Sequence, residues 1–226
     1  MAIQPVNEDL LERIDTYIDR LFIPPDAALE QNLSDAEAAG LPAIAVSPAQ
    51  GRMMYLLAKM SGAKRILEIG TLGGYSTTLL ARALPKDGQL ITLELSPTNA
   101  GVARKNLERA GVGDLVEIRV GPASDTLDKM IAAVEAPFDL VFIDANKTGY
   151  VGYLNQVLQL SRSGTVILSD NLIRHGAVLP GFPSPDADAV AVAEFNRLIA
   201  SHPGLESILF PIVKGKVDGM AISLVK

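Results

Sequence analysis

At 226 residues with 48% apolar content, the chain can bury the core of one domain and is too short for two of ordinary size. Its 26 acidic and 20 basic residues leave a net charge of −6 with no segment dominated by lysine and arginine, which argues against a nucleic-acid partner. The chain has no cysteine, so disulfides and thiolate-held metals are excluded, and no apolar run reaches membrane-spanning length.

Met1 to Leu21 is charged and amphipathic, without the basic start and apolar centre of a signal peptide, so a cytoplasmic protein with no membrane partner is expected. Leu10, Leu11, Ile14, Ile18 and Leu21 recur at helical spacing, which predicts a helix over Glu8–Leu21 stopped by Pro24-Pro25. A second, more polar helix is expected over Asp26–Ala39, and an irregular or extended link over Leu41–Ser47. Residues 1–40 are thus read as an N-terminal helical extension and residues 41–226 as the main domain. Ser47 and Pro48 form the cap and first position of a helix over Pro48–Ser61.

From Arg65 onward apolar runs alternate with helical patterns. Strands are predicted at Arg65–Ile69, Gln89–Leu95, Val116–Val120, Phe138–Asp144 and Gly164–Asp170. The helices between them span about Gly74–Leu84, Pro97–Ala110, Ser124–Val134 and Gly149–Ser161. Such alternation means an α/β fold: a parallel, Rossmann-like sheet with helices on both faces. His175–Pro185, rich in glycine and proline, is expected to be a surface loop. A last helix over Asp186–Ser201 precedes two strands, Ser207–Val213 and Gly219–Val225. Their short link, Lys214–Asp218, makes them a hairpin, so one of the two runs antiparallel.

The most informative segment is Arg65 to Ser76, a buried strand that ends in an acidic residue and a glycine turn and then opens a helix. An open α/β sheet holds a nucleotide-like ligand at this place. A dinucleotide fingerprint needs glycine where this chain has Leu72; the spacing here is Glu-x-Gly-x-x-x-Gly, from Glu68 through Gly70 to Gly74. Glu68 beside the loop would repel a phosphate. Glu94, near the end of the second strand, stands where a carboxylate accepts hydrogen bonds from a ribose diol.

A second constellation gathers where two later strands end. Asp144 closes the fourth strand, and Asp170 with Asn171 closes the fifth. The carboxyl ends of neighbouring parallel strands face one crevice, so these residues form an all-oxygen set suited to Mg²⁺. Strand-end aspartates also serve as caps and turn formers. Lys147, three residues after Asp144, lies at the mouth of the same crevice, where a partly desolvated lysine can act as a base. Tyr150 and Tyr153, on the following helix, read as packing residues, and His202 is given no role.

Together these residues resemble the cation-dependent O-methyltransferases that use S-adenosylmethionine, a family that includes the catechol and caffeoyl-coenzyme A enzymes. The resemblance runs from about Ala45 to the carboxyl terminus. It is carried by Glu68-Ile-Gly-Thr-Leu-Gly-Gly-Tyr-Ser76, Glu94, Gly121-Pro-Ala-Ser124, Asp144-Ala-Asn-Lys147 and Asp170-Asn171. It implies the seven-stranded methyltransferase sheet, with its last strand reversed. It implies that Glu68, Gly70, Gly74 and Ser76 lie against the methionine end of the cofactor, with Glu68 close to its cationic groups. Val46 and Ser47 would offer main-chain contacts to that end, Glu94 would take the ribose, and Ala123 and Ser124 the adenine. Asp144, counted on both the cofactor and the metal side, would bind Mg²⁺ (or Mn²⁺ or Ca²⁺) together with Asp170 and Asn171, and Lys147 would be the catalytic base. The implied reaction is O-methylation of a small phenolic substrate, and the implied assembly is a homodimer.

The chain departs from the catechol branch in two respects. That branch carries an acidic residue in the penultimate strand region, where counting back from Asp218-Gly219 gives Ile212. Ala145 and Asn146 replace bulky gatekeepers, and there is no tryptophan. A pocket wider than catechol needs is therefore expected, for caffeoyl-type or flavonoid ortho-diphenols. Arg174 and His175 follow the metal strand and either line the substrate mouth or belong to a solvated loop. Three other readings stand beside this one: a nicotinamide-dependent dehydrogenase, a non-catalytic cofactor-binding protein, and a methyltransferase of another acceptor such as an amine. Leu72 and the metal set argue against the first, the intact Lys147 and metal set against the second, and the oxygen ligands against the third.

Overall fold

The computed structural model describes residues 8–183, 185–213 and 217–226. Three helices come first: α1 (Glu8–Phe22), α2 (Ala27–Ala38) and α3 (Pro48–Met60). Strands and helices then alternate as β1 (Arg65–Ile69), α4 (Tyr75–Ala83), β2 (Gln89–Glu94), α5 (Pro97–Arg109), β3 (Val116–Val120), α6 (Ala123–Ala132), β4 (Phe138–Ile143), α7 (Tyr150–Gln159) and β5 (Ser161–Ser169). The chain closes with α8 (Ala187–Ser201), β6 (Leu205–Val213) and β7 (Val217–Val225). The expected link Lys214–Asp218 lies partly outside the described residues, and Asp218 itself belongs to β7. Strand β5 starts at Ser161, earlier than expected, because a register shift between Phe138 and Leu140 lets Phe138 pair with Ser161. No helix among the described residues is long and apolar enough to cross a membrane.

The seven strands form one sheet in the order β3-β2-β1-β4-β5-β7-β6. Strand β7 runs antiparallel between β5 and β6, and the other pairings are parallel. The order reverses between β1 and β4, so the crevice outside their carboxyl ends is the natural ligand site. Alternation along the strands feeds two apolar layers. Leu67, Ile69, Ile91, Val141 and Ile143 pack under α6, α7 and α8, while Ile66, Leu90, Leu140, Phe142 and Leu168 pack under α3, α4 and α5.

Helix α2 is fastened to the sheet layer at both ends. Asp26 caps it, accepting from the N–H groups of Ala28 and Leu29 at 3.1 Å, and also pairs with Arg82 of α4. Asp35 pairs with Arg109 of α5 at 2.7 Å. Asn32, between these ties, and Ala36, just beyond the second, face the glycine turn. On α1, by contrast, Ile14, Tyr17, Leu21 and Phe22 are exposed.

Candidate active site

The turn after β1 is shaped by its glycines. Gly70 has φ +102, and a Cβ there would lie 2.0 Å from the Asp144 carbonyl oxygen, so the turn runs directly against the end of β4. Glu94, at the end of β2, ties the turn down. Its Oε2 accepts from the N–H groups of Thr71 (3.2 Å) and Leu72 (2.8 Å), and its Oε1 accepts from Ser96 N–H (2.9 Å) and Asn99 Nδ2 (3.1 Å). The expected ribose acceptor is thus on the cavity wall and already oriented by four donors.

Glu68 lies elsewhere than expected. Strand alternation turns it to the same face as Ile66, beneath α4, where it is fully buried and off the cavity wall. It accepts from Ser76 Oγ (2.6 Å), from Thr77 Oγ1, and from Thr92 Oγ1 (2.7 Å), its register partner on β2. Burial pushes its carboxyl up to about 7 against the pull of those hydroxyls, with Asp144 adding to the rise. Glu68 therefore acts through Ser76, which does line the cavity. Gly74 is likewise off the wall. It caps α4 at φ +84, and a Cβ there would meet Ala103 Cβ of α5 at 3.3 Å, so glycine serves helix packing at that position.

The other expected residues share one cavity of about 1740 Å³, whose wall includes Val46, Ser47, Gly70, Ser76, Glu94, Ala123, Ser124, Asp144, Lys147, Asp170 and Asn171. Pockets for small ligands are typically ~300–1,000 Å³, so this space exceeds what one small ligand needs. The Ser47 main-chain N–H donates to Gln50 Oε1 at 3.0 Å, and Ser47 Oγ accepts from Gln50 N–H at 3.2 Å. This capping box aims Gln50 Nε2 at Asp170 Oδ1, 3.2 Å away.

Asp144 and Asp170 come together as expected. Asp170 is buried at the end of β5, and burial, with the Asp144 carboxylate beside it, pushes it up to about 7. Asn171, with φ +61, donates Nδ2 to Asp170 Oδ2 at 3.2 Å. No group of three or more His, Cys, Asp or Glu side chains able to hold a metal occurs among the described residues, so a third protein ligand here would be the amide of Asn171. Two crowded carboxyls with an amide fit a hard divalent cation, which would relieve the repulsion between the carboxylates.

Lys147 sits in a short 3₁₀ turn after β4 and is only 8% exposed. Its Nζ lies 3.0 Å from Asp144 Oδ1 and donates to the Tyr150 hydroxyl at 2.7 Å. That hydroxyl lies 3.0 Å from the Asp170 carbonyl and 3.2 Å from that of Ile143. Burial, with Asp144 and Asp170 nearby, holds the Tyr150 phenol well above its ordinary pKa, so it stays a donor. Tyr150 is a packing residue, as expected, and in addition fixes the position of Lys147.

Asp218 was not singled out in the sequence. It pairs with Ile212 across the β6–β7 hairpin, so a carboxylate stands beside the position where the count gave isoleucine, and both line the cavity. Its Oδ1 accepts from the N–H groups of Ile173 (3.1 Å), Arg174 (3.1 Å) and Gly219 (2.9 Å). These bonds hold a loop in which Asn171, Arg174 and His175 all have positive φ. Arg174 and His175 line the cavity, and Arg174 pairs with Asp186 (3.2 Å) and Asp188 (3.4 Å). Of the residues the sequence reading missed, Gln50 carried a signal, the Ser-x-x-Gln capping box; Asp218 is brought in by hairpin register alone.

Comparison with known proteins places this geometry in context. The pattern of a family described as O-methyltransferase matches residues 26–224. A catechol O-methyltransferase of Niastella koreensis is 44% identical over 222 residues, covering 98% of this chain and 100% of its own. A catechol O-methyltransferase of Mycobacterium tuberculosis is 47% identical over 214 residues, covering 94% of this chain and 95% of its own. Among solved structures, an O-methyltransferase from Bacillus cereus in complex with SAH superposes with a TM-score of 0.92 at 42% identity, covering 96% of this chain and 99% of that one.

Proposed function

The chain belongs to the O-methyltransferase family, and from that premise we propose that it transfers a methyl group from S-adenosylmethionine to one hydroxyl of a vicinal diphenol, with a divalent cation at Asp144, Asp170 and Asn171. The observation that carries this reading is the convergence, in one cavity, of the glycine turn, two neighbouring carboxyls with an amide, and Lys147 Nζ, 3.0 Å from Asp144 Oδ1. Likeness to a relative in complex with SAH supports the choice of cofactor.

S-Adenosylmethionine, when bound, supplies an electrophilic methyl on a sulfonium, and a divalent cation supplies acidification and a fixed orientation for two adjacent hydroxyls. The chain's residues do the rest. Glu94 holds the turn at Thr71 and Leu72, presenting the floor against which the cofactor lies. Ser76, backed by Glu68, closes the methionyl end. Lys147, held by Tyr150, takes up the phenolic proton, and the resulting phenolate attacks the methyl carbon as the carbon–sulfur bond breaks. Opposite charges are consumed in this step, so alignment and exclusion of water matter more than any further charged group. The absence of bulky groups at Ala145 and Asn146, with the large cavity, favours caffeoyl-type or flavonoid diphenols over free catechol. The exposed stripe Ile14, Tyr17, Leu21 and Phe22 supports a homodimer as part of the same proposal.

The test is methyl transfer from labelled S-adenosylmethionine to caffeate, catechol and the monophenol p-coumarate. Labelling of the two diphenols, caffeate above catechol, is expected. Equal labelling of p-coumarate would overturn the vicinal-diphenol assignment.

A further inference from the structure

Asn32, on α2, stands out among the buried polar groups. It is 2% exposed, and neither its Nδ2 nor its Oδ1 has a hydrogen-bond partner. Unpartnered amides in a protein interior are rare, because desolvation of both donor and acceptor goes uncompensated. Asn32 also lines the large cavity. Its Oδ1 lies 3.5 Å from where a Cβ on Gly73 would stand, which puts the amide against the glycine turn between Leu72 and Ser76. The neighbouring groups are spoken for: Gly73 carbonyl accepts from Asn106 Nδ2 at 2.9 Å, Leu72 N–H donates to Glu94, and Ser76 Oγ donates to Glu68. The two ion pairs that fasten α2 keep Asn32 in place from both sides, so it cannot turn outward to find water at little cost.

We infer that Asn32 is a cofactor-recognition residue whose amide is completed by the zwitterionic amino-acid end of the methyl donor. This rests on the proposed use of S-adenosylmethionine. An amide carries a donor and an acceptor side by side, and the methionyl group presents the complementary pair, a carboxylate and an ammonium. Helix α2, although it precedes the sheet, is then part of the binding site: it brings to the glycine turn a buried amide whose donor and acceptor both lack a partner.

Replacement by leucine, of similar shape and without polar atoms, separates this role from a structural one. Calorimetric titration with S-adenosylhomocysteine and with methylthioadenosine, which lacks the amino-acid end, is run on wild type, Asn32→Leu and Asn32→Ala, together with melting of the ligand-free proteins. A lost pair of hydrogen bonds should weaken S-adenosylhomocysteine binding about tenfold or more, leave methylthioadenosine binding within about twofold of wild type, and leave the ligand-free melting point of Asn32→Leu equal or raised. An unchanged affinity for S-adenosylhomocysteine, or an equal loss for both ligands, would overturn the inference. A lowered ligand-free melting point with unchanged affinity would make Asn32 structural and also overturn it. Failure of wild type to bind S-adenosylhomocysteine at all would instead remove the cofactor reading on which the inference stands. Asn32→Ala carries the same comparison if the leucine variant does not fold.

Discussion

Replacing Asp218 should damage the protein in a way that depends on which atom is lost. One carboxylate oxygen takes three main-chain N–H groups, at 3.1, 3.1 and 2.9 Å, and the residue is 8% exposed. A hydrogen bond to a charged group contributes roughly 1.5–3 kcal/mol. Two of these donors are only partly buried and the three are not additive, so Asp218→Ala should lose about 4 kcal/mol. For a chain of this size about 1 kcal/mol moves the melting point by roughly 2–4 °C, so a fall of roughly 8–16 °C is expected. Asp218→Asn keeps an oxygen acceptor at the same position and should lose only about 1 kcal/mol. The loop these bonds hold carries Asn171 at φ +61, so divalent-cation affinity should fall with stability in the alanine variant and survive in the asparagine variant. Thermal melting and Mn²⁺ titration of both variants check this. An alanine variant that melts within about 3 °C of wild type would refute the role of the three bonds.

Further outcomes follow from the site. Lys147→Ala should lower kcat by about 10²–10⁴-fold while S-adenosylhomocysteine affinity stays within about threefold, measured by steady-state kinetics and titration; retained turnover would remove Lys147 from the mechanism. Glu68, raised from 4.5 to about 7, keeps its proton in the folded chain after the unfolded chain has lost it. Stability conferred by the protonated carboxyl is therefore present below about pH 4.5, is lost as pH rises to about 7, and is level above, a change of up to about 3 kcal/mol. Glu68→Gln should lack that component, so the difference between variant and wild type in urea unfolding should shift in favour of the variant from pH 5 to pH 8; an unchanged difference would contradict the burial argument. Asp170, pushed up to about 7, must shed its proton to take a cation. Cation affinity should rise with pH to about 7 and then flatten, with proton uptake by buffer at pH 6 in calorimetry, whereas affinity independent of pH would count against Asp170 as a ligand.

The centre of the sheet was legible because β1, β2 and β4 are buried on both faces and read as apolar runs between helical patterns. Its ends were less so: β5 reaches back to Ser161 through a register shift between Phe138 and Leu140 that no periodicity signals. Within the site, residues at strand ends were readable, since Asp144 and Glu94 directly follow apolar residues and Asp170 comes one residue after the run Val166-Ile167-Leu168. Glu68 was misplaced because its position inside β1, rather than at its end, fixes which face it takes; alternation from Ile66 puts it under α4, among hydroxyls from Thr77 and Thr92. Ser76 is the residue that carries its influence to the cavity. Asp218 and Asn32 could not be read at all. One arrives through hairpin pairing with Ile212, the other through helix α2 folding back onto the glycine turn, and both are contacts between segments far apart in sequence.

The decisive experiment is methyl transfer from labelled S-adenosylmethionine to caffeate by the metal-stripped protein, in EDTA and after restoring Mg²⁺, with Asp170→Ala alongside. Activity abolished by EDTA, restored by Mg²⁺ and absent from the variant under both conditions is the expected result. Equal turnover in EDTA and in Mg²⁺ would mean that Asp144, Asp170 and Asn171 hold the strand ends together and take no part in cation-assisted methyl transfer.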